Sequence, residues 1–274
     1  MNRRTEKRLR QLFHHGWTEL KSANYSEAVR LLTKSAQGGL RHAMLALGSV
    51  YYWGKGITPN TEKGIYWLKR AADKGNRVAC INLAHVYYNL GDTEKYNALA
   101  WSYYEKASAE DKDLFYLGQM DFEKRGKYDN DEQRLKDADA FFQVSLFEGC
   151  SLSGLYLWQM QREKCPDLAD AYYADGEKLL HDSKGYNNWA WQLCEWGEYE
   201  MALPYIERCL SMELEGEENP NYLDTYAECL FGLGRKQDAE RIFRMVVEAY
   251  RERDERRRLS ETWEKMKSYG LEIE

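Results

Sequence analysis

Histidines and cysteines are the residues of this sequence with the best chance of carrying metal or redox chemistry. The five histidines do not have the spacing of a metal-ligand set: His14, His15, His42, His85 and His181. The six cysteines include no C-x2-C pair, whereas a zinc site needs closely spaced ligands. Cys194, Cys209 and Cys229 stand among apolar neighbours, which predicts buried free thiols. We therefore expect neither a metal ion nor a cofactor.

Catalytic motifs are also missing from the sequence. It contains no G-x4-G-K-[ST] phosphate loop, no H-E-x2-H zinc motif and no G-x-S-x-G nucleophile turn. Residues 149–154, Gly-Cys-Ser-Leu-Ser-Gly, lack the spacing of that turn and have no strand before them. We therefore expect a protein that is not an enzyme and that acts by binding.

A regular repeat supplies the elements that would position a binding site. Small residues recur near the start of every second helix, at intervals of 36, 36, 38, 33, 31 and 37: Ala28, Gly64, Ala100, Ala138, Ala171, Ala202 and Ala239. In most repeats a bulky residue follows three or four positions later, such as Trp67 or Tyr103. The pattern predicts an all-α chain of seven helical hairpins, repeats 1 to 7, at 5–38, 41–76, 77–110, 111–149, 151–182, 185–218 and 220–251. Leu259, Trp263 and Met266 share one helical face, so 252–269 is predicted as a C-terminal capping helix, and we expect residues 1–274 to form a single repeat domain.

Repeat 2 shows the pattern most completely. Ala43–Asn76 reads A-x3-L-G-x2-Y-x2-G-x-G-I-x2-N-x2-K-G-x2-W-x3-A-A-x2-G-N. Gly48 and Gly64 allow two helices to approach, and Trp67 fills the space between them. Glycines in the turn tolerate positive φ, and Pro59 prevents the first helix from continuing.

Ala43–Asn76 resembles a Sel1-like repeat nearly position for position, with Asn60 where aspartate is usual and Gly64 where alanine is usual. Repeats 6 and 7 resemble tetratricopeptide repeats. The resemblance implies a right-handed α-α superhelix, a solenoid whose first helices line a concave groove. It also implies a binding scaffold more often than an enzyme.

The candidate site follows from this register. With Gly48 as the eighth residue of its helix, positions 2, 5, 9, 12 and 13 of each first helix face the groove. The candidate groove residues are Phe13, Trp17, Lys21, His42, Ser49, Tyr52, Trp53, His85, Tyr88, Asn89, Gln119, Phe122 and Trp191. The same count places Asp224, Glu228 and Phe231 there in repeat 7. Aromatic rings with scattered amides suit a protein partner's peptide or helix. The alternative for any single ring is packing between repeats.

Charge and hydropathy narrow the class of partner. The net charge of −6 disfavours a general nucleic-acid binder, and no apolar run is long enough to span a membrane. The basic first ten residues lead into no apolar signal core, so we expect a cytoplasmic protein. Arg251–Arg258 carries five arginines and three acids, and i,i+4 pairing on a solvated helix explains such a mixture. Two alternatives stay open: a ligand-sensing or peptide-sensing regulator that contacts nucleic acid through these basic ends, and an enzyme of unrecognised type.

Overall fold

The computed structural model describes residues 2–111, 114–126, 130–213 and 219–271. These residues form fifteen α-helices and no strand, although an isolated antiparallel bridge joins Lys55 and Glu255. The helices are α1 (Arg3–Lys21), α2 (Tyr25–Gln37), α3 (Arg41–Trp53), α4 (Thr61–Ala72), α5 (Arg77–Asn89), α6 (Glu94–Asp111), α7 (Phe115–Phe122), α8 (Asp131–Phe147), α9 (Ser151–Gln161), α10 (Pro166–Glu177), α11 (Ser183–Glu195), α12 (Tyr199–Ser211), α13 (Pro220–Gly232), α14 (Lys236–Glu252) and α15 (Arg256–Ser268).

The chain divides into two compact units. Unit 1 consists of Met1–Asp111, Met120–Arg134 and Arg251–Arg258, and unit 2 of Lys112–Gln119, Leu135–Tyr250 and Leu259–Glu274. Consecutive helices pair as hairpins in both, for example α1 with α2, α3 with α4, and α11 with α12. The predicted fold class, an all-α chain of solenoid-type hairpins with a final helix, is confirmed. That residues 1–274 form a single repeat domain stays a prediction, and residues 112–113, 127–129 and 214–218 of the predicted repeats lie outside the described residues.

Local sequence explains where the helices of unit 1 begin and end. The side chains of Asn2, Asn60 and Asn76 accept hydrogen bonds from backbone N–H groups three residues later, which caps α1, α4 and α5. After α3, Gly54 and Gly56 take φ values of +70° and +68°, a conformation that glycine adopts without steric cost. These two glycines reverse the chain between α3 and α4, as predicted.

Close helix contact in unit 1 depends on the predicted small residues. A Cβ atom at Gly48 would lie 2.7 Å from Leu68 Cγ, and one at Gly64 would lie 3.2 Å from the Gly48 carbonyl oxygen. Leu47, Leu68 and Ala71 are buried beside this contact, in a core that continues through α1 to α5. Trp67 is buried as well, which agrees with its predicted place between the helices.

Unit 2 has its own buried clusters. Gly154 of α9 and Gly176 of α10 meet so closely that a Cβ atom at Gly154 would lie 2.8 Å from the Gly176 Cα. The α10 position buried with this cluster is Ala169, whereas Ala171, the predicted small residue of repeat 5, is exposed. The predicted register of repeat 5 was therefore wrong by two residues: counted from Ala169, the bulky Tyr173 follows four positions later and packs against this cluster.

The described cysteines are free thiols. Cys80, Cys194, Cys209 and Cys229 are buried, and burial raises the pKa of Cys209 to about 12. No group of three or more potential metal-ligating side chains occurs among the residues that the structure describes. Within the same residues, no helix combines the length and apolar character needed to cross a membrane.

Candidate partner-binding surface

The first helices of repeats 1 and 2 bring three of the candidate residues together. The Phe13 ring lies 6.2 Å from the Trp17 ring on α1 and 6.4 Å from the His42 ring on α3, measured between ring centroids. Trp17 is 43% exposed, His42 is exposed and Phe13 is half-buried. We call Phe13, Trp17 and His42 the aromatic surface. Lys21, the candidate at the end of α1, is also exposed.

Basic side chains flank the aromatic surface. His42 lines a surface cleft together with Arg10, Arg41 and Lys74. Glu6 also lines the cleft and pairs with Arg10, with 2.7 Å between the carboxylate oxygen and Nη2. The cleft therefore places positive charge beside exposed rings.

Tyr52 and Trp53, at the end of α3, lie in a different environment. Their rings meet edge to face, with centroids 4.9 Å apart, and Tyr52 is only 7% exposed. Arginines from the Arg251–Arg258 segment of unit 1 cover both: the guanidinium of Arg257 lies 4.3 Å from the Tyr52 ring and that of Arg258 lies 4.5 Å from the Trp53 ring. The predicted groove residues of α3 are therefore not all open to a partner. Ser49, one turn earlier, is half-buried.

Two candidate residues of repeat 3, His85 and Tyr88, contact other side chains of unit 1. The imidazole Nδ1 of His85 shares a hydrogen bond of 3.0 Å with the Tyr104 hydroxyl, and burial lowers the pKa of His85 to about 4. Arg125 covers Tyr88, with its guanidinium 3.5 Å from the ring centroid. Asn89, the last residue of α5, is exposed.

The remaining candidates are spread over both units. Phe122 belongs to unit 1 and Gln119 to unit 2, and both are half-buried. The Phe122 carbonyl accepts a hydrogen bond of 3.1 Å from Arg134 Nη1. In unit 2, the Trp191 side chain on α11 is 42% exposed to solvent.

In repeat 7 the predicted groove positions are covered by the part of α15 that belongs to unit 2 and by Tyr269, which directly follows the helix. Lys265 Nζ lies 2.8 Å from an Asp224 carboxylate oxygen and 2.9 Å from one of Glu228. The Tyr269 ring stacks on Phe231, with centroids 3.9 Å apart and planes 8° from parallel. Burial opposes the charge on Lys265, but the two carboxylates raise its pKa above the usual value. The final helix therefore fills the last part of the predicted groove in unit 2.

Sequence reasoning missed the arginines that cover these aromatic rings. Arg125, Arg257 and Arg258 each lie over a ring at or next to the end of a first helix. For Arg257 and Arg258 the signal was the arginine run at 251–258, whose mixed charges are also typical of a solvated helix face. Periodicity predicts which face a residue occupies, but it does not reveal a contact between segments about 200 positions apart.

Comparison with known proteins supports the repeat assignment. The family model of the Sel1 repeat matches residues 11–40, 41–76 and 77–112. The chain is similar in structure to c5321, a protective antigen of uropathogenic Escherichia coli with an SLR fold, at TM-score 0.53 and 18% identity over 97% of this chain and 58% of that one. It is also similar to a Sel1 repeat protein from Oxalobacter formigenes, at TM-score 0.51 and 20% identity over 86% of this chain and 99% of that one. The chain thus spans 58% of the length of the E. coli antigen. No curated protein sequence matches it significantly.

Proposed function

We propose that this chain, whose residues 11–112 are three Sel1 repeats, is a non-enzymatic scaffold that binds a segment of a protein partner. Sel1 and tetratricopeptide folds commonly mediate protein–protein interaction, and this is the general function that the repeats support. The finer proposal is that the first-helix faces of unit 1 hold the partner. The same proposal places the chain in the cytoplasm, where its cysteines would remain thiols.

The observation that carries the proposal is the exposure of the aromatic surface. A tryptophan that is 43% exposed leaves much of its apolar area in water, and its neighbours Phe13 and His42 extend that area across two helices. Aromatic rings supply large contact area with few rotatable bonds, so they are frequent energetic centres of interfaces. A partner side chain placed against Trp17 would remove this area from water.

The flanking charges indicate what else the partner carries. Arg10, Arg41 and Lys74 line the cleft next to His42, and among the described residues that line it Glu6 is the one acid. Charge complementarity therefore favours a partner segment with an apolar or aromatic side chain next to an acidic group. The cation of a guanidinium also binds a carboxylate through paired hydrogen bonds.

Affinity capture with the full chain tests this proposal. Lysate proteins held by the wild type are compared with those held by the Trp17→Ala/His42→Ala double variant and by Tyr66→Ala. Tyr66 is a suitable control because it is an exposed aromatic residue, 51% exposed, on the second helix α4. The binding segment of an enriched protein is then titrated calorimetrically against the three chains.

We expect the double variant to bind that segment about tenfold more weakly or worse, since loss of a central aromatic costs ~1–2 kcal/mol or more. Tyr66→Ala should bind as the wild type does. Equal binding by all three chains would show that the aromatic surface is not the site. Replacing the acidic residues of the partner segment by their amides should also weaken its binding to the wild type. If that change has no effect, the basic cleft is not part of the binding site.

A further inference from the structure

The turn between α3 and α4 is covered by a segment far away in sequence. We call Arg251–Arg258, which belongs to unit 1, the arginine segment. The Gly56 N–H donates to the Asp254 carbonyl at 2.9 Å, and the Tyr25 hydroxyl donates to the Arg253 carbonyl at 2.6 Å. Asp254 takes φ +46°, which turns the chain between α14 and α15 at this contact. The segment is therefore held by its backbone as well as by its side chains.

Two adjacent arginines make the side-chain contacts. Arg257 Nε donates to the Tyr52 carbonyl at 2.7 Å, and its Nη2 donates to the Thr61 hydroxyl at 2.8 Å. The same guanidinium lies over the Tyr52 ring, and that of Arg258 lies over the Trp53 ring. We call Tyr25, Tyr52, Trp53, Gly56 and Thr61 the arginine surface.

The chemistry of a helix end explains why this surface selects arginine. The last carbonyl groups of a helix have no partner within it and carry the negative end of the helix dipole. At the end of α3, Asn60 N–H satisfies the Tyr51 carbonyl, and Arg257 satisfies that of Tyr52. A planar guanidinium can donate to the carbonyl and stack on the ring at once, whereas an ammonium group cannot stack.

Repeat 3 shows the same arrangement at the equivalent residue. Tyr88 lies 36 positions after Tyr52, and both are the penultimate residues of their helices. Arg125 Nη2 donates to the Tyr88 carbonyl at 2.6 Å while its guanidinium covers the Tyr88 ring. Repeats 2 and 3 thus share one arrangement, in which a single guanidinium contacts both the ring and the carbonyl of the same tyrosine.

The source of the arginine differs between the two repeats. In repeat 3 it stands 37 residues after the tyrosine, in the next hairpin. Repeat 2 has no such neighbour, because residues 88–95, around the end of the first helix of the next hairpin, contain no arginine. Arg257 instead comes from 205 residues away. Repeat 2 therefore has a site for arginine that its neighbouring repeat does not fill.

We propose that the arginine surface is a binding site for partner segments with two adjacent arginines, and that the arginine segment is an internal ligand competing with them. The proposal rests on the function proposed above, since it requires that the repeats bind partner segments. It adds a second ligand chemistry, basic instead of acidic, at a separate place in unit 1. A tethered ligand acts at a high effective concentration, so a free segment binds weakly until the internal one is removed.

A fluorescence-anisotropy titration of the full chain tests the competition. The probe is a labelled peptide of residues 251–260, and the chains are the wild type, Arg257→Ala/Arg258→Ala and Arg3→Ala/Arg4→Ala. The last is a matched control because it removes the same charge from exposed residues of α1. We expect the peptide to bind Arg257→Ala/Arg258→Ala about tenfold more tightly than the other two chains.

Two further titrations establish the chemistry of the site. A peptide with lysine at 257 and 258 should bind the Arg257→Ala/Arg258→Ala chain about tenfold more weakly than the arginine peptide does, because lysine keeps the charge but loses the planar contact. Adding Trp53→Ala to the Arg257→Ala/Arg258→Ala chain should also weaken binding of the arginine peptide. Equal affinity for wild type and Arg257→Ala/Arg258→Ala, or for the arginine and lysine peptides, would overturn the proposal.

Circular dichroism of each variant shows whether it is folded. If Arg257→Ala/Arg258→Ala loses its helical signal, the titration is repeated with Arg257→Lys/Arg258→Lys. That variant should also bind the arginine peptide more tightly than the wild type does, and equal affinity would overturn the proposal. The peptide titration does not involve Trp17 or His42. The two experiments therefore test the two proposals separately. Affinity capture can reject the aromatic surface without affecting the peptide titration, and the titration can reject the arginine surface without affecting the capture.

Discussion

Gly48 is the residue on which the contact between α3 and α4 depends. A Cβ atom there would lie 2.7 Å from Leu68 Cγ and 3.1 Å from the Leu68 backbone nitrogen. The backbone nitrogen cannot move aside as a side chain can, so Gly48→Leu should overpack the hairpin. We expect it to lower the free energy of unfolding by ~1–3 kcal/mol or more, measured by urea denaturation.

Lys69→Leu is the control for Gly48→Leu. It introduces the same side chain at an exposed position of the adjacent helix α4, where nothing is displaced. Its effect should stay within about 0.5 kcal/mol. A Gly48→Leu chain as stable as this control would show that the α3–α4 contact has been placed incorrectly.

His85 is the residue that should make the stability of unit 1 depend on pH. Burial lowers the pKa of its imidazole from 6.5 to about 4 in the folded chain. Below pH 6.5 the unfolded chain takes up a proton that the folded chain does not accept until about pH 4, so stability falls as the pH falls through this window. We expect about 1–2 kcal/mol to be lost between pH 7.5 and pH 5, compared by urea denaturation at both values.

His85→Gln should remove this part of the pH dependence, because glutamine does not titrate and can still accept a hydrogen bond from the Tyr104 hydroxyl. His14→Gln is the matched control, since His14 is exposed in the folded chain as well. It should leave the wild-type pH dependence unchanged. If His85→Gln and the wild type lose equal stability between the two pH values, His85 takes up its proton over the same pH range in the folded and unfolded chains, which contradicts the lowered pKa.

At the scale of elements, α15 is held on α13 by a charge cluster as well as by apolar packing. Lys265 lies between Asp224 and Glu228, whose side chains are 22% and 11% exposed. Lys265→Met would leave these two carboxylates facing each other without a cation. We expect a loss of about 1–3 kcal/mol, at the lower end of values for buried pairs because the cluster is partly solvated. Hydrogen exchange should show faster exchange in α15.

Lys267→Met is the control on the same helix, because Lys267 is exposed and two residues away. It should change neither stability nor exchange in α15. Asp224→Asn/Glu228→Gln added to Lys265→Met should recover part of the lost stability by removing the repulsion. No recovery would indicate that the methylene groups of Lys265, and not its charge, hold the helix.

The elements that the sequence predicted well are those encoded by local spacing. Gly48 with Tyr51, and Gly54 with Gly56, mark a helix and its turn within about fifteen residues, and the structure has both there. Repeat 5 lacks such markers, and there the register was wrong. The place of α15 was only half predicted. Its apolar face with Trp263 and Met266 was visible, but the Lys265 contact with the groove residues of α13 depends on tertiary packing.

At the scale of the whole molecule, the candidate site was the least predictable part. Helical periodicity predicted Trp17 and His42 on the groove face of the first helices, and both side chains are exposed. It placed Tyr52 and Tyr88 by the same rule, yet arginines cover both rings. The reason is physical: a helix end that offers free carbonyls and an aromatic ring attracts any guanidinium that the chain can bring to it, whatever its distance in sequence.

The charge of the whole chain argues against nucleic-acid binding through its basic ends. The net charge is −6, and two cations of the arginine segment pair with its own acids: Arg256 Nε lies 2.8 Å from an Asp254 carboxylate oxygen, and Arg258 Nε lies 3.8 Å from one of Glu255. Phosphate binding needs cations that are free to replace the condensed counterions of the polymer.

We therefore expect the full chain to leave a heparin column at or below ~0.15 M salt, a concentration at which exposed charges are screened beyond ~8 Å. Arg3→Ala/Arg4→Ala should elute at the same point. Retention to higher salt that Arg3→Ala/Arg4→Ala abolishes would instead favour a regulator that contacts nucleic acid through its basic first helix.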